Sequence, residues 1–194
     1  MKTVTVNGTK RDATGKKASK LERREGQIPC VLYGGEDVVH FSTTFNDVKP
    51  LIYTPEFKVA EVSVNGATHR AILKDVQFHP VKESVVHIDF LRLVEGTVVK
   101  LELPVKFTGT SPGVKLGGKL QQSMRRVKVK TTPEKMVDSL SLDISSLELG
   151  QAIRVRDIEV PEGIELMNPP GTPVATVEIP RALRSAAAEA AKAG

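Results

Sequence analysis

Three groups of residues have types and spacing that could do chemistry. The first, Gly113-Val114-Lys115-Leu116-Gly117-Gly118-Lys119, fits the G-x-x-x-x-G-K spacing by which backbone amides cradle phosphates. Leu120 follows where a Mg²⁺-binding Ser or Thr is needed, and Gln121 to Lys130 reads as one strand, so no helix N-terminus faces a phosphate there. The stretch reads as a basic glycine loop, and a nucleotide hydrolase is the enzyme alternative attached to it. The second group is basic: in a helix, Lys20, Arg23 and Arg24 share one face, and Lys10, Arg11, Lys16 and Lys17 extend it through the preceding loop. Two readings stand for it. One is a solvated face whose arginines complement the helix C-terminus; the other is contact with phosphates along a nucleic-acid backbone, which Gly15 and Ala18 allow to come close.

The third group is Val85-Val86-His87-Ile88-Asp89-Phe90, where strand alternation puts His87 and Asp89 on one face and Val86, Ile88 and Phe90 on the other. An acid on a phosphate-binding surface is repelled unless it accepts a hydrogen bond from something specific, such as a base amino group or a ribose 2′-OH. The bland alternative is a surface His–Asp pair worth little. Other chemistry is poorly supplied. The four histidines, His40, His69, His79 and His87, lack short metal-ligand spacing, the one thiol, Cys30, sits in an apolar run, and there is no Gly-x-Ser-x-Gly elbow. No catalytic residue, metal, cofactor or small-molecule substrate is expected.

The elements that must position these groups are mostly strands. Apolar and polar residues alternate through Thr3 to Val6, Cys30 to Tyr33, Val38 to Ser42, Val59 to Val64, Ala67 to Val76, Val85 to Leu93, Val99 to Phe107, Arg126 to Lys130, Leu140 to Ile144, Ile153 to Val155 and Val174 to Ile179. Asn65-Gly66 between two of these runs predicts a type I′ hairpin. Short strands at this spacing imply a mainly β protein built from antiparallel barrels or sandwiches. Helix signals are few. Ser19-Lys20-Leu21-Glu22 reads as a capping box with Gly26 as the helix stop, a second short helix starts near Asn46 and ends by Pro50 or soon after, and Ser185 to Ala193 is alanine-rich. A change of style after Leu93, where Pro-Gly punctuation begins, divides the chain into residues 1–93, residues 94–180 and an Ala-rich tail, helical or disordered, at 181–194.

Composition narrows the classes further. The chain has 194 residues, 40% of them hydrophobic, but aromatics are 4% and Trp is absent, too few for a platform that stacks several successive bases. A single cysteine excludes an intramolecular disulfide and fits a reducing cytosol, and no apolar run approaches the length of a membrane span. The net charge of +5 is unevenly spread: residues 1–35 carry 8 Lys and Arg against 3 Asp and Glu, whereas residues 36–92 carry 6 against 8. A second basic zone, Gly113 to Pro133, holds six cations and no acid.

These residues resemble a known family. Arg11, Gly15-Lys16, Ala18-Ser19, Leu21, Arg23-Arg24, Gly26, Pro29, Val31 and Tyr33-Gly34, then Asp75-Val76-Gln77 with His79-Pro80, then His87-Ile88-Asp89-Phe90, are similar to bacterial large-subunit ribosomal protein twenty-five. The closer likeness is to its two-domain branch, called Ctc or general stress protein, which Leu103 to Gly113, Gly117-Gly118 and Leu120-Gln121 also resemble. The resemblance implies an N-terminal antiparallel β-barrel with short helices that binds 5S rRNA at its loop E region from the minor-groove side. It also implies a C-terminal β domain packed against large-subunit proteins near the central protuberance, in a cytoplasmic, ribosome-associated, non-enzymatic protein. Carried over position by position, Arg11 and Lys16 are expected at the RNA backbone, Arg23 and Lys20 at phosphates, Tyr33 at a sugar or base edge, and His87 with Asp89 in the groove. Ser19 matches as well, though its capping role competes with RNA contact, and Glu22 sets a negative charge beside the phosphate face. The alternative function is a general RNA-binding stress protein or RNA chaperone acting off the ribosome.

Overall fold

In the computed structural model of the chain, which describes residues 1–180, the alternating runs of the first half close on themselves. Strands β1 (Thr3–Lys10), β2 (Gln27–Tyr33), β3 (Val39–Thr44), β4 (Val59–Val64), β5 (Ala67–Phe78) and β6 (Val85–Arg92) form a closed barrel in the order β1-β3-β2-β6-β5-β4. Four of its pairings are antiparallel. The β1–β4 and β2–β6 seams are parallel, a departure from the all-antiparallel expectation. Alternation fixes which side chains face inward but not which way a neighbouring strand runs.

The inward residues fill the barrel: Val6, Ile28, Cys30, Leu32, Phe41, Val62, Ile88 and Phe90 are all buried, and the Phe41 and Phe90 rings lie 5.7 Å apart, tilted by 37°. Gly8 is required beside them, because a Cβ there would stand 2.4 Å from Phe41 Cδ2. Asn65 (φ 51) and Gly66 (φ 84) make the turn between β4 and β5 with both central residues left-handed, as the Asn-Gly signal predicts. Two helices interrupt the strands, α1 (Lys16–Arg24) and α2 (Phe45–Ile52). The second starts and ends close to its expected limits and adds Val48 and Leu51 to the barrel core.

The second half consists of β7 (Val99–Thr108), α3 (Pro112–Lys115), β8 (Lys119–Gln122), β9 (Arg126–Thr131), β10 (Leu140–Asp143), β11 (Ala152–Arg154), β12 (Ile164–Leu166) and β13 (Pro173–Glu178). They make a four-stranded sheet, β10-β7-β9-β12, and a three-stranded one, β11-β13-β8. Leu103, Val127, Val129, Leu140, Leu142, Val174 and Val177 are buried between them and their loops. The single strand expected over Gln121 to Lys130 is instead two strands belonging to different sheets, because Ser123 N and Met124 N both donate to Val174 O and turn the chain between them. The chain divides into two compact units, Met1–Leu101 with Thr132–Asp138, and Glu102–Thr131 with residues from Ser139 onward. The division falls inside β7, whereas the sequence reading sets it near residue 93. The alanine-rich tail, residues 181–194, lies outside the described residues.

Candidate nucleic-acid interface

Helix α1 begins earlier than its sequence signal. Gly15 (φ 116) is the N-cap, no side chain caps the helix, and Ser19 N donates to Gly15 O at 3.1 Å, so Ser19 lies a full turn inside. The capping box expected from Ser19 and Glu22 is therefore not formed. Both side chains face the barrel and bind Arg11 instead: Arg11 Nε donates to Glu22 Oε1 at 2.7 Å and Nη2 to Ser19 Oγ at 3.0 Å. An arginine with five donors in a fixed fork outcompetes a helix amide for those two acceptors.

This geometry changes two of the expected RNA contacts. The Arg11 side chain is only 6% exposed and committed to α1, and Ser19 is half-buried against it, so both position the helix rather than project toward a ligand. Gly26 (φ 79) stops the helix as predicted. Lys16, Lys20, Arg23 and Arg24 remain exposed. Lys16, Lys20 and Arg24 have no ion pair among the described residues, and Arg23 Nε donates to Val86 O at 3.0 Å, tying α1 to β6 one residue before His87. The cationic helix therefore runs directly into the strand that carries the His–Asp motif.

On that strand His87 Nδ1 and Asp89 Oδ1 are 2.8 Å apart on their shared face, and both side chains are partly open to solvent. The contact to Asp89 engages Nδ1. The barrel's register brings further groups to this face. Asp75 and Gln77 on β5 stand opposite Asp89 and His87, and Val31 on β2 lies opposite Asp89, with Tyr33 two residues on. The Tyr33 hydroxyl is held protonated above its usual range, first by burial and then by the charges of Asp89 and Asp75. Asp75 and Gln77 were missed as site residues because only the β5–β6 pairing places them beside the motif. The face as built joins cations that can hold phosphates to a strip of carboxylate, imidazole, amide and phenol groups suited to hydroxyl and amino groups.

The glycine loop of the second unit has no such openness. The backbone N–H groups of Gly113, Val114, Lys115, Leu116, Gly117 and Gly118 all donate within the protein, to Leu147, Ser111, Ser111, Pro112, Val114 and Gly113 respectively. Amides already spent cannot cradle a phosphate. The glycines serve packing, since a Cβ at Gly113 would meet Glu148 C at 2.7 Å and one at Gly118 would meet Val177 Cγ1 at 2.4 Å. Of the surrounding cations, Lys128 lies 4.0 Å from Glu102 and Lys130 lies 3.3 Å from Glu165. Among the described residues no three His, Cys, Asp or Glu side chains gather as a metal site, and no helix is long and apolar enough to cross a membrane.

Comparison with known proteins matches both halves. Residues 6–90 match the Ribosomal L25p family, and residues 98–181 match the C-terminal domain of ribosomal protein TL5. Similar full-length proteins, each named large ribosomal subunit protein bL25, include one from Amoebophilus asiaticus, 43% identical over 98% of this chain and 96% of its own. Others come from Porphyromonas gingivalis, 44% identical over 96% and 98% of the two chains, and Bacteroides fragilis, 41% identical over 99% and 100%.

Proposed function

The chain belongs to the ribosomal L25p family, in the two-domain form of the Ctc branch, and from that premise we propose that residues 1–93 bind 5S rRNA at its loop E region while residues 94–180 meet neighbouring proteins near the central protuberance. Membership makes it a structural, non-enzymatic protein of the large ribosomal subunit, cytoplasmic and ribosome-associated. The observation that carries the RNA reading is the joint at Arg23 and Val86, which sets the open cations of α1 against the His87–Asp89 strip.

In this reading the two parts act differently. Lys16, Lys20 and Arg23 meet backbone phosphates and give affinity that salt weakens through counterion release. Asp89, with Asp75 beside it, repels phosphate, so the strip can only approach RNA where donors offset that charge. The wide, shallow minor groove of A-form RNA offers such donors in its 2′-OH groups and base amino edges. His87 is oriented by Asp89 through Nδ1, and Tyr33, kept protonated, can donate or accept. Arg11 and Ser19 hold α1 in place for these contacts.

The test is a gel-shift titration of 5S rRNA with the full-length protein, against a loop E mutant RNA, at two salt concentrations. Tight, loop-dependent binding is expected, with these three cations contributing about −2 to −3 to the log–log salt slope if each displaces roughly one counterion. Equal affinity for both RNAs would replace the proposal with a general RNA binder.

A further inference from the structure

Arg92, the last residue of β6, is placed unlike the other arginines of the barrel. It stands opposite Ala71, a fully buried core residue, so it turns into the barrel's rim rather than out to the strip. Its Nε is buried with no hydrogen-bond partner, and no carboxylate pairs with it among the described residues. Arg11 has Glu22 and Arg23 has a carbonyl; Arg92 has neither. Yet its seat is built. Gly34 (φ +95) brings the chain so close that a Cβ would lie 2.6 Å from Leu91 Cδ1, and a Cβ at Gly35 would lie 2.6 Å from Arg92 Nη1. Gly35 thus lays bare backbone against the guanidinium, while Gly34 does so against Leu91 and the backbone of Arg92. The uncompensated charge is felt nearby, since His69 is held below its ordinary range by burial and then by Arg92.

We propose that Arg92, seated on Gly35, binds a backbone phosphate of the RNA at the end of the His87–Asp89–Tyr33 strip opposite α1. The inference rests on the RNA-binding reading and adds its second rim. Arg92 lies six positions along β6 from Val86, where Arg23 is fixed, or about 20 Å at a strand's rise per residue. Cations then stand at both ends of the strip and acceptors between them, the order needed to span a groove with a phosphate backbone on each side. A free anion is not the ligand, because Glu36 and Asp37 are exposed just after the glycine turn and repel it. A phosphate held in place by the rest of the RNA overcomes that repulsion.

The test measures binding of a 5S rRNA loop E fragment to the full-length protein as a function of salt. Arg92→Gln should weaken binding roughly 5- to 10-fold and lower the salt slope by about one, without changing the preference for loop E. Gly35→Ala keeps every charge but unseats the guanidinium, and should weaken binding comparably. In the wild-type protein, the Arg92 Nε–H NMR signal should shift when the RNA is added, a readout that needs no variant to fold. An unmoved signal, or Arg92→Gln with wild-type affinity and slope, overturns the site. Loss of loop E preference in the wild type itself overturns the underlying reading instead.

Discussion

Replacing Arg11 separates a residue that touches RNA from one that holds the touching element. Helix α1 has nine residues, a glycine N-cap without a side-chain bond, and no fully buried side chain of its own. A helix of that length does not persist alone. Its side-chain ties to the barrel are Arg11 to Glu22 and Ser19, and Arg23 to Val86 O. Arg11→Ala removes two of the three and strands the Glu22 carboxylate, whose Oε2 is already buried without a partner. Breaking a fully buried pair costs 3–5 kcal/mol, and since Glu22 is 21% exposed the cost here is about 2 kcal/mol. That raises the open population of α1 roughly 30-fold. Amide hydrogen exchange over α1 should show this loss of protection, and 5S rRNA affinity should fall with it. The double variant Arg11→Leu/Glu22→Leu restores an apolar contact and should recover both protection and most of the affinity. Loss of RNA affinity with α1 amides as protected as in the wild type would refute the reasoning and make Arg11 a direct contact.

Three further outcomes are expected. Asp89→Ala should cost about 1–3 kcal/mol in binding 5S rRNA and relax the choice between loop E and a plain duplex; an unchanged preference sinks its groove role. His69 titrates below its ordinary value of 6.5 in the folded chain, so below that pH the unfolded state binds more protons and stability declines as pH falls toward the folded midpoint. His69→Gln should flatten this part of the acid slope, and Arg92→Gln should move the His69 NMR midpoint upward; a wild-type midpoint at or above 6.5 contradicts this. Cys30 is fully buried and its thiol is pushed up, mainly by that burial, so a thiol reagent at pH 8 should label it only as fast as the protein unfolds. Rapid labelling without denaturant would show that the barrel opens locally at β2.

Much of this was legible because it is local. The β4 strand falls on the residues its alternation marks, Asn65-Gly66 turns as its left-handed tolerance requires, and the i, i+2 spacing of His87 and Asp89 puts them on the one face where they pair. What was not legible depends on partners distant in sequence. Ser19-x-x-Glu22 is a sound cap signal until Arg11, arriving from the end of β1, offers both side chains stronger donors. Asp75 and Gln77 join the site only through the β5–β6 register, and the parallel seams follow from the paths of the connections, which alternation does not encode. The strand β12 has three residues, too few to alternate, and exists because β9 pairs with it.

The two basic zones show why counting charge along the chain is not enough to find a phosphate-binding surface. Gly113 to Pro133 is the purer run, six cations with no acid, yet Glu102 and Glu165 come from neighbouring strands to pair with Lys128 and Lys130. Residues 1–35 contain acids of their own, but the fold turns Glu22 inward onto Arg11 and so removes it from the exposed face of α1. Lys16, Lys20 and Arg24 then act on solvent without a counter-charge among the described residues. Counterion release scales with the cations that meet phosphate, not with those that meet carboxylate, so Lys128 and Lys130 are the weaker candidates of their zone, while Lys115, Lys119, Arg125 and Arg126 are exposed without an ion pair among the described residues. Charge reversal separates the two directly: Lys20→Glu should weaken 5S rRNA binding and reduce its salt slope, whereas Lys128→Glu should leave both near the wild-type values. Equal losses from the two substitutions would show that RNA breaks the Glu102 pair to reach the second unit.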